Sequence, residues 1–173
     1  KKEEFPAKWA SIQNALGGAF FYLSSETKDE DLLLKSIDKF QDALTVFDCS
    51  KFPRNWADTH YNIGLALSYR GFTINSSKSM DYFNEAILNF KDALSVYEGQ
   101  KDTNTYNIII KMTSQAYSNW GVALTHFKKY DEAIEKFKKA IEINPQHSIA
   151  YHNWGLALND LGMFDKAIEK FEK

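Results

Sequence analysis

Four histidines, one cysteine and a recurring asparagine are the residues of this 173-residue chain whose chemistry could define a site. His147 and His152 are five apart, a spacing that puts them on different faces of one helix. His60 and His126 have no cysteine or carboxylate at metal-ligand spacing along the chain. All four read as helix-surface or partly buried side chains, and no metal or other cofactor is expected. Cys49 is alone and cannot form an internal disulfide, which fits a reducing, cytoplasmic compartment. No glycine-rich phosphate loop and no serine or cysteine nucleophile motif is present, and "LGG" at 16–18 reads as a helix-packing glycine pair. The chain reads as non-enzymatic. The asparagines differ from the histidines because their placement repeats. Asn62, Asn119 and Asn153 each stand two residues before a glycine, at Gly64, Gly121 and Gly155. An amide can donate and accept hydrogen bonds at once, as a peptide backbone requires.

Composition narrows the partners. Twenty-one basic side chains face 23 acidic ones, for a net charge of −2. Phosphate binding needs a basic face, so nucleic acid is not expected as the main partner, and neither is a polybasic membrane anchor. The longest apolar stretch, "ALGGAFFYL" at 15–23, is far short of the roughly 18 residues a spanning helix needs. The chain begins at Lys1 rather than Met and reads as a fragment of a longer protein.

The elements that carry these residues are written as repeats. "NWGVAL" at 119–124 returns as "NWGLAL" at 153–158, 34 residues later, with "NIGLAL" at 62–67 and a looser "ALGGAF" at 15–20. A second block travels with the first: "SIDKFQDAL" (36–44), "AILNFKDAL" (86–94), "AIEKFKKAI" (133–141) and "AIEKFEK" (167–173). In each, a small residue precedes a phenylalanine by four: Ser36 and Phe40, Ala86 and Phe90, Ala133 and Phe137, Ala167 and Phe171. Spacings of three and four place these side chains on one helical face. A mid-helix glycine costs about 1 kcal/mol relative to Ala and so implies a packing reason. The expected reason is close approach of two antiparallel helices, Gly121 on Ala133 and Gly155 on Ala167. Each unit is then a helix, a turn and a second helix.

With these blocks in place, the chain resembles the tetratricopeptide repeat family, whose 34-residue pattern is W-x2-L-G-x2-Y…A-x3-F…P. Residues 114–147 carry the resemblance through Tyr117, Gly121, Leu124, Tyr130, Ala133, Phe137, Ala140 and Pro145. Trp120 and Trp154 replace the usual leucine before the glycine, and Leu67, Leu124 and Leu158 stand where the pattern has tyrosine. The first two units are longer, with Trp9 and Trp56, like Gly17 and Gly64, 47 residues apart. They look like the longer variants common in large bacterial multidomain proteins. Their inserts of 7 and 10 residues fall inside the hairpin, between Gly and Ser36 or Ala86. One extra turn on each helix is the simplest accommodation, with loops at "SSETKDED" (24–31) and "NSSKS" (75–79). "EGQKD" (98–102) reads as a turn before a long helix from near Thr103 to about Lys128.

The resemblance implies an all-α, right-handed superhelical solenoid of antiparallel helix hairpins, one array over 1–173, with approximate units 8–50, 54–99, 103–145 and 148–173. It also implies a protein–protein interaction scaffold that takes a partner peptide or helix in a concave groove. Carried onto this sequence, the groove would hold Asn62, Asn119 and Asn153, with Tyr61, Leu65, Tyr69, Ser118, Val122, His126, His152, Leu156 and Asp160. The asparagines would either hold ligand backbone or bond within their own units. The subclass that grips chaperone C-termini uses Lys, Arg and Asn. The matching places here hold Asn14, Gly18, Asn62, Gln115 and Asn119, so that ligand is not expected. The charge run at 128–142 reads as a solvated helix face with Glu132–Lys136 and Glu135–Lys139 pairs, or as a docking patch. Trp120 and Trp154 read as core, and Trp9 and Trp56 as covers for the junction with the preceding unit, with ligand stacking as the alternative for all four. The alternatives to a groove scaffold are a self-association module, with homo-oligomerisation through an uncapped C-terminal end, or a sensor or recruiting arm of a larger protein.

Overall fold

The computed structural model describes residues 2–74, 76–100 and 103–173. Asn75, Lys101 and Asp102, parts of two expected loops, lie outside the described residues. The described chain is all-α, a solenoid of four antiparallel hairpins: α1 (Pro6–Thr27) with α2 (Glu30–Leu44), α3 (Pro53–Thr73) with α4 (Ser79–Tyr97), α5 (Asn104–His126) with α6 (Tyr130–Ile143), and α7 (Ser148–Asp160) with α8 (Phe164–Phe171). No strand occurs among the described residues.

Local chemistry sets the helix ends. Pro6 and Pro53 open α1 and α3, where a missing N–H costs nothing and φ is already helical. Asp29 caps α2, its Oδ1 accepting from the N–H groups of Asp31 at 2.9 Å and Leu32 at 3.2 Å. Thr103 caps α5 by accepting from the Tyr106 N–H at 3.3 Å, so the long third-unit helix starts where its sequence places it. Lys28 and Lys128 end α1 and α5 in the left-handed region, with φ of 58° and 59°, and Gly162 holds the matching place after α7 with φ of 74°.

The extra length of the first two hairpins goes mainly into helix. α1 runs ten residues past Gly17 and α3 nine past Gly64, against five for α5 past Gly121 and α7 past Gly155. α2 and α4 start six and seven residues before Ser36 and Ala86, against three for α6 and α8 before Ala133 and Ala167. The first hairpin loop shrinks to Lys28 and Asp29; most of "SSETKDED" is helical.

One contact recurs in every hairpin, and it is not the one expected. A Cβ built on Gly17, Gly64 or Gly121 would lie 2.5, 2.6 or 2.5 Å from a ring carbon of Phe40, Phe90 or Phe137, and Gly155 meets Phe171 in the same way. The glycine therefore accommodates the phenylalanine ring rather than the small residue four positions earlier. Gly18 has open space around it, so only one glycine of "LGG" packs. In the long second hairpin the contact occurs a second time, one layer further out, where a Cβ on Gly71 would lie 3.1 Å from Phe83. The first hairpin fills that layer with Ser24 and Leu33, both buried.

Candidate functional site

The surface built by the ends of the first helices is the candidate site. Asn119, Val122 and His126 line an open cleft of about 350 Å³ together with Gly71, Phe72, Ile74, Ser79, Ala123 and Phe127. Val122 and His126 also line a neighbouring cleft of about 260 Å³, which adds Asn153, Leu156 and Asp160. On the other side, Phe72 and Ile74 are shared with a cleft of about 700 Å³ that holds Tyr69 and Arg70. Six expected groove residues, Asn119, Val122, His126, Asn153, Leu156 and Asp160, thus fall on two adjoining clefts, and Tyr69 on a third that adjoins them.

The step between long and short hairpins shapes the first of these clefts. Its wall is the extra turn of the second hairpin, and its floor is the end of α5. Phe72 stands 61% exposed on that wall. Neither Phe72 nor Phe127 was legible as a site residue; the only signal was Gly71, seven residues after Gly64, marking an added packing layer.

Other expected residues fall elsewhere. Ser118 is fully buried with its hydroxyl unpartnered in the structure, so it lines the hairpin interior and not a groove. Tyr61 stands at the same place relative to Gly64 and packs on Phe90, ring centroids 6.0 Å apart; burial raises its phenol pKa. His152, at that place again, lies 5.6 Å from the Phe171 ring and lines a separate cleft with Ser148 and Tyr151. One helical position, three residues before the glycine, thus turns toward the phenylalanine. Leu65 packs against the main core.

The asparagines are half-buried. Asn62 donates from Nδ2 to Asn14 Oδ1 of the preceding unit at 3.3 Å. Asn119 accepts at Oδ1 from Gln115 Nε2, one turn earlier, at 2.8 Å. Each of these bonds engages one end of the amide only.

Two tertiary arrangements bring histidine to possible partners. Ser114 Oγ lies 2.7 Å from the Ala140 carbonyl oxygen and 2.7 Å from His147 Nδ1. A carbonyl only accepts, so the hydroxyl donates to it and His147 Nδ1 carries the proton that Ser114 accepts. That polarity leaves Ser114 unactivated as a nucleophile; the pair pins α5, α6 and the start of α7. Burial, and then the charge of Lys111, lower the His147 pKa from its usual 6.5. His60 Nδ1 lies 2.8 Å from Asn89 Oδ1 and 3.7 Å from an Asp92 carboxylate oxygen, a partner invisible in the linear spacing because it comes from α4. Among the described residues no group of three or more His, Cys, Asp or Glu could hold a metal ion. No helix among them is long and apolar enough to cross a membrane.

The charge run also departs from its expected pairing. Lys129 pairs with Glu132 at 3.0 Å and Lys138 with Glu135 at 3.2 Å. Lys136 instead covers the Trp120 ring at 3.5 Å, as Lys170 covers Trp154 at 4.6 Å one repeat later. An ammonium over an indole face is attracted by the ring quadrupole, and burial lowers the Lys136 pKa. These tryptophans are half-buried rather than full core. Trp56 does pack at the junction with the preceding hairpin, against Ala43 and Phe47, whereas Trp9 packs into its own hairpin through that same cluster.

Comparisons with known proteins agree with this geometry. Tetratricopeptide repeat family models match residues 114–147 and 136–169. A search of curated proteins finds no match. A crystal structure of MamA is similar at a TM-score of 0.57 and 21% identity, over 99% of this chain and 78% of that one. A structure of MamA 41-end from Desulfovibrio magneticus RS-1 aligns at a TM-score of 0.35 and 13% identity, over 90% and 91% of the two chains. At 21% identity the first likeness speaks to the fold. Stacked hairpins of this kind form protein-interaction scaffolds with extended concave surfaces. On the matched models, residues 114–169 carry tetratricopeptide repeats, and the glycine-to-phenylalanine contact that all four hairpins share extends the same hairpin packing to the rest of the described chain.

Proposed function

We propose that this scaffold binds an extended or helical segment of a partner protein along the clefts at the ends of its first helices. Asn119 and Asn153 would hold the ligand backbone, and Asn62 would extend the row. The observation that carries the reading is the convergence of Asn119, Asn153, Val122, His126 and Leu156 on two adjoining clefts. Apolar walls with a few placed polar groups are what a ligand site requires. Phe72 and Phe127 supply aromatic area, the amides supply orientation, and backbone recognition gives affinity with little sequence selectivity.

The test is a calorimetric titration of the wild-type chain and the triple variant N62A/N119A/N153A against the partner recovered by a pull-down with the purified chain. Each lost hydrogen bond removes about 0.5–1.5 kcal/mol net. The triple variant should therefore bind roughly tenfold to a thousandfold more weakly, with melting curves little changed. Equal affinities would leave the amides as intra-array bonds, as Asn62 to Asn14 and Gln115 to Asn119 already are.

A further inference from the structure

One place in the hairpin is filled differently in the long second unit than in the short ones. One residue before the packing glycine, the first helices carry Ile63, Trp120 and Trp154. Three residues after the small residue, the second helices carry Asn89, Lys136 and Lys170. In the third and fourth hairpins the two places meet, with the lysine ammonium over the indole. In the second they do not, because both ends of the Asn89 amide are engaged. Its Nδ2 donates to the Glu85 carbonyl oxygen at 2.9 Å, and its Oδ1 meets His60 Nδ1 at 2.8 Å. Ile63 and Leu67 are left as the apolar floor of an open cleft of about 360 Å³ between α2 and α4. Leu34 and Asp38 stand on one wall, Glu85 and Asn89 on the other, each pair four apart and so on one helix face. Asp38 and Glu85 are exposed, and neither carboxylate is paired with a cation among the described residues. Arg70 also lines the cleft, but its guanidinium pairs with Glu30 at 2.9 Å and lies over the Tyr82 ring at 4.4 Å.

We infer that this cleft takes a lysine or arginine side chain of a partner protein, presented by a basic amphipathic helix lying between α2 and α4. The methylene stem lies on Ile63 and Leu67 while the charge reaches Asp38 and Glu85, since long basic side chains bury their stems and keep their heads in water. The array itself displays the fit, because a lysine fills this place in the next two hairpins. Two helix walls over an apolar floor are a setting in which an amphipathic helix docks. Charge selects the partner's sign, since an acidic helix would set like charges against Asp38 and Glu85. The cleft shares no lining residue with the two clefts proposed above, so the inference stands or falls separately from that reading.

The probe is a short amphipathic helical peptide of leucine and lysine, with a leucine–glutamate counterpart as control. Each is titrated by fluorescence anisotropy into the 173-residue chain and into the variants D38N/E85Q and N89K. Asp38 and Glu85 are exposed, so D38N/E85Q should melt like wild type. Wild type should bind the lysine peptide and not the glutamate one. D38N/E85Q should bind the lysine peptide roughly two- to thirtyfold more weakly, because two exposed ion pairs are lost. N89K should also bind more weakly, its own lysine covering Ile63 as Lys136 covers Trp120. Backbone amide shifts on adding the lysine peptide should concentrate at residues 34–41 and 82–89. Either variant binding like wild type, equal binding of the two peptides, or shifts centred on another part of the array would overturn the inference. So would a wild type that leaves the lysine peptide unbound up to about 1 mM, the weak end of specific affinity.

Discussion

The two long hairpins and the two short ones solve one packing problem at different lengths. Both halves set a glycine of the first helix against a phenylalanine ring of the second. The long half repeats the layer one step outward, as Gly71 on Phe83 and as Ser24 beside Leu33. It also ties its two hairpins together at that layer. Arg70 Nη2 meets Glu30 Oε1 at 2.9 Å, and Tyr69 lies edge-on to Phe21 at 5.8 Å. The short half lacks the layer and covers its exposed tryptophan faces with lysines instead. Helix hairpins therefore lengthen in whole layers, because only a whole turn on each helix returns the small and large residues to the same face. The cleft at Phe72 exists because an extended hairpin stands next to an unextended one.

The largest break in this comparison should come from filling the tight layer. Gly121→Leu should destabilise by about 1–3 kcal/mol or more, since overpacking a fitted contact forces side chains off rotamer and Phe137 is fully buried. In the outer layer, Gly71→Ala should be near neutral. Its Cβ would sit 3.1 Å from Phe83, and the mild crowding is offset by the roughly 1 kcal/mol that Ala gains over Gly in a helix. Urea melts of the two variants check this, and equal losses would mean that the two layers are packed alike.

A second contrast concerns pH. His147 serves the short half, and its folded pKa is depressed by burial. Its neutral form is thus favoured by folding, so its contribution is complete above pH 6.5 and is lost as pH falls through 6.5 toward the lower folded value. In the long half, Tyr97 donates to Asp58 Oδ1 at 3.0 Å. Burial, then the Asp58 charge and this hydrogen bond, push its pKa up from 10.0 to about 12, with Arg54 opposing. Its contribution is complete below pH 10 and is lost between 10 and 12. Residue-resolved hydrogen exchange should show α5–α7 weakening first on the acid side and α3–α4 first on the alkaline side. Uniform weakening at either extreme would break the contrast.

The smallest effect is a repair common to both halves. Lys28 and Lys128 hold the left-handed conformation that Gly162 adopts after α7. A non-glycine residue there costs roughly 1–2 kcal/mol, partly offset by the unfolded-chain entropy that glycine adds. Lys28→Gly and Lys128→Gly should each stabilise by a few tenths to about 1 kcal/mol, and Gly162→Ala should destabilise by a similar amount. Thermal melts of the three variants decide this, and a loss of stability in either lysine variant would show that its side chain makes a contact worth more than the strain.

The helix pairs, the period and the long α5 could be read from the chain because they rest on local spacing. Residues three and four apart must share a face, and caps such as Thr103 act within three residues of themselves. The glycine at the heart of each unit announced a close approach. The ring it accommodates was left to tertiary packing, since Ala133 and Phe137 lie on one face and only the rise of α6 past α5 selects between them. For the same reason the lining of the candidate clefts was legible in part. Asn119, Val122, His126, Asn153 and Leu156 were placed by their offset from the glycine. Ser118 and Tyr61, one residue nearer the chain start than the asparagines, turn inward because one residue is about 100° of helix. The lysines on the tryptophans, the Ser114–His147 bond, Asp92 beside His60 and the Phe72 cleft join residues from separate helices. No pattern within a single helix encodes such meetings; they follow from where the hairpins sit against one another, and only the folded array decides that.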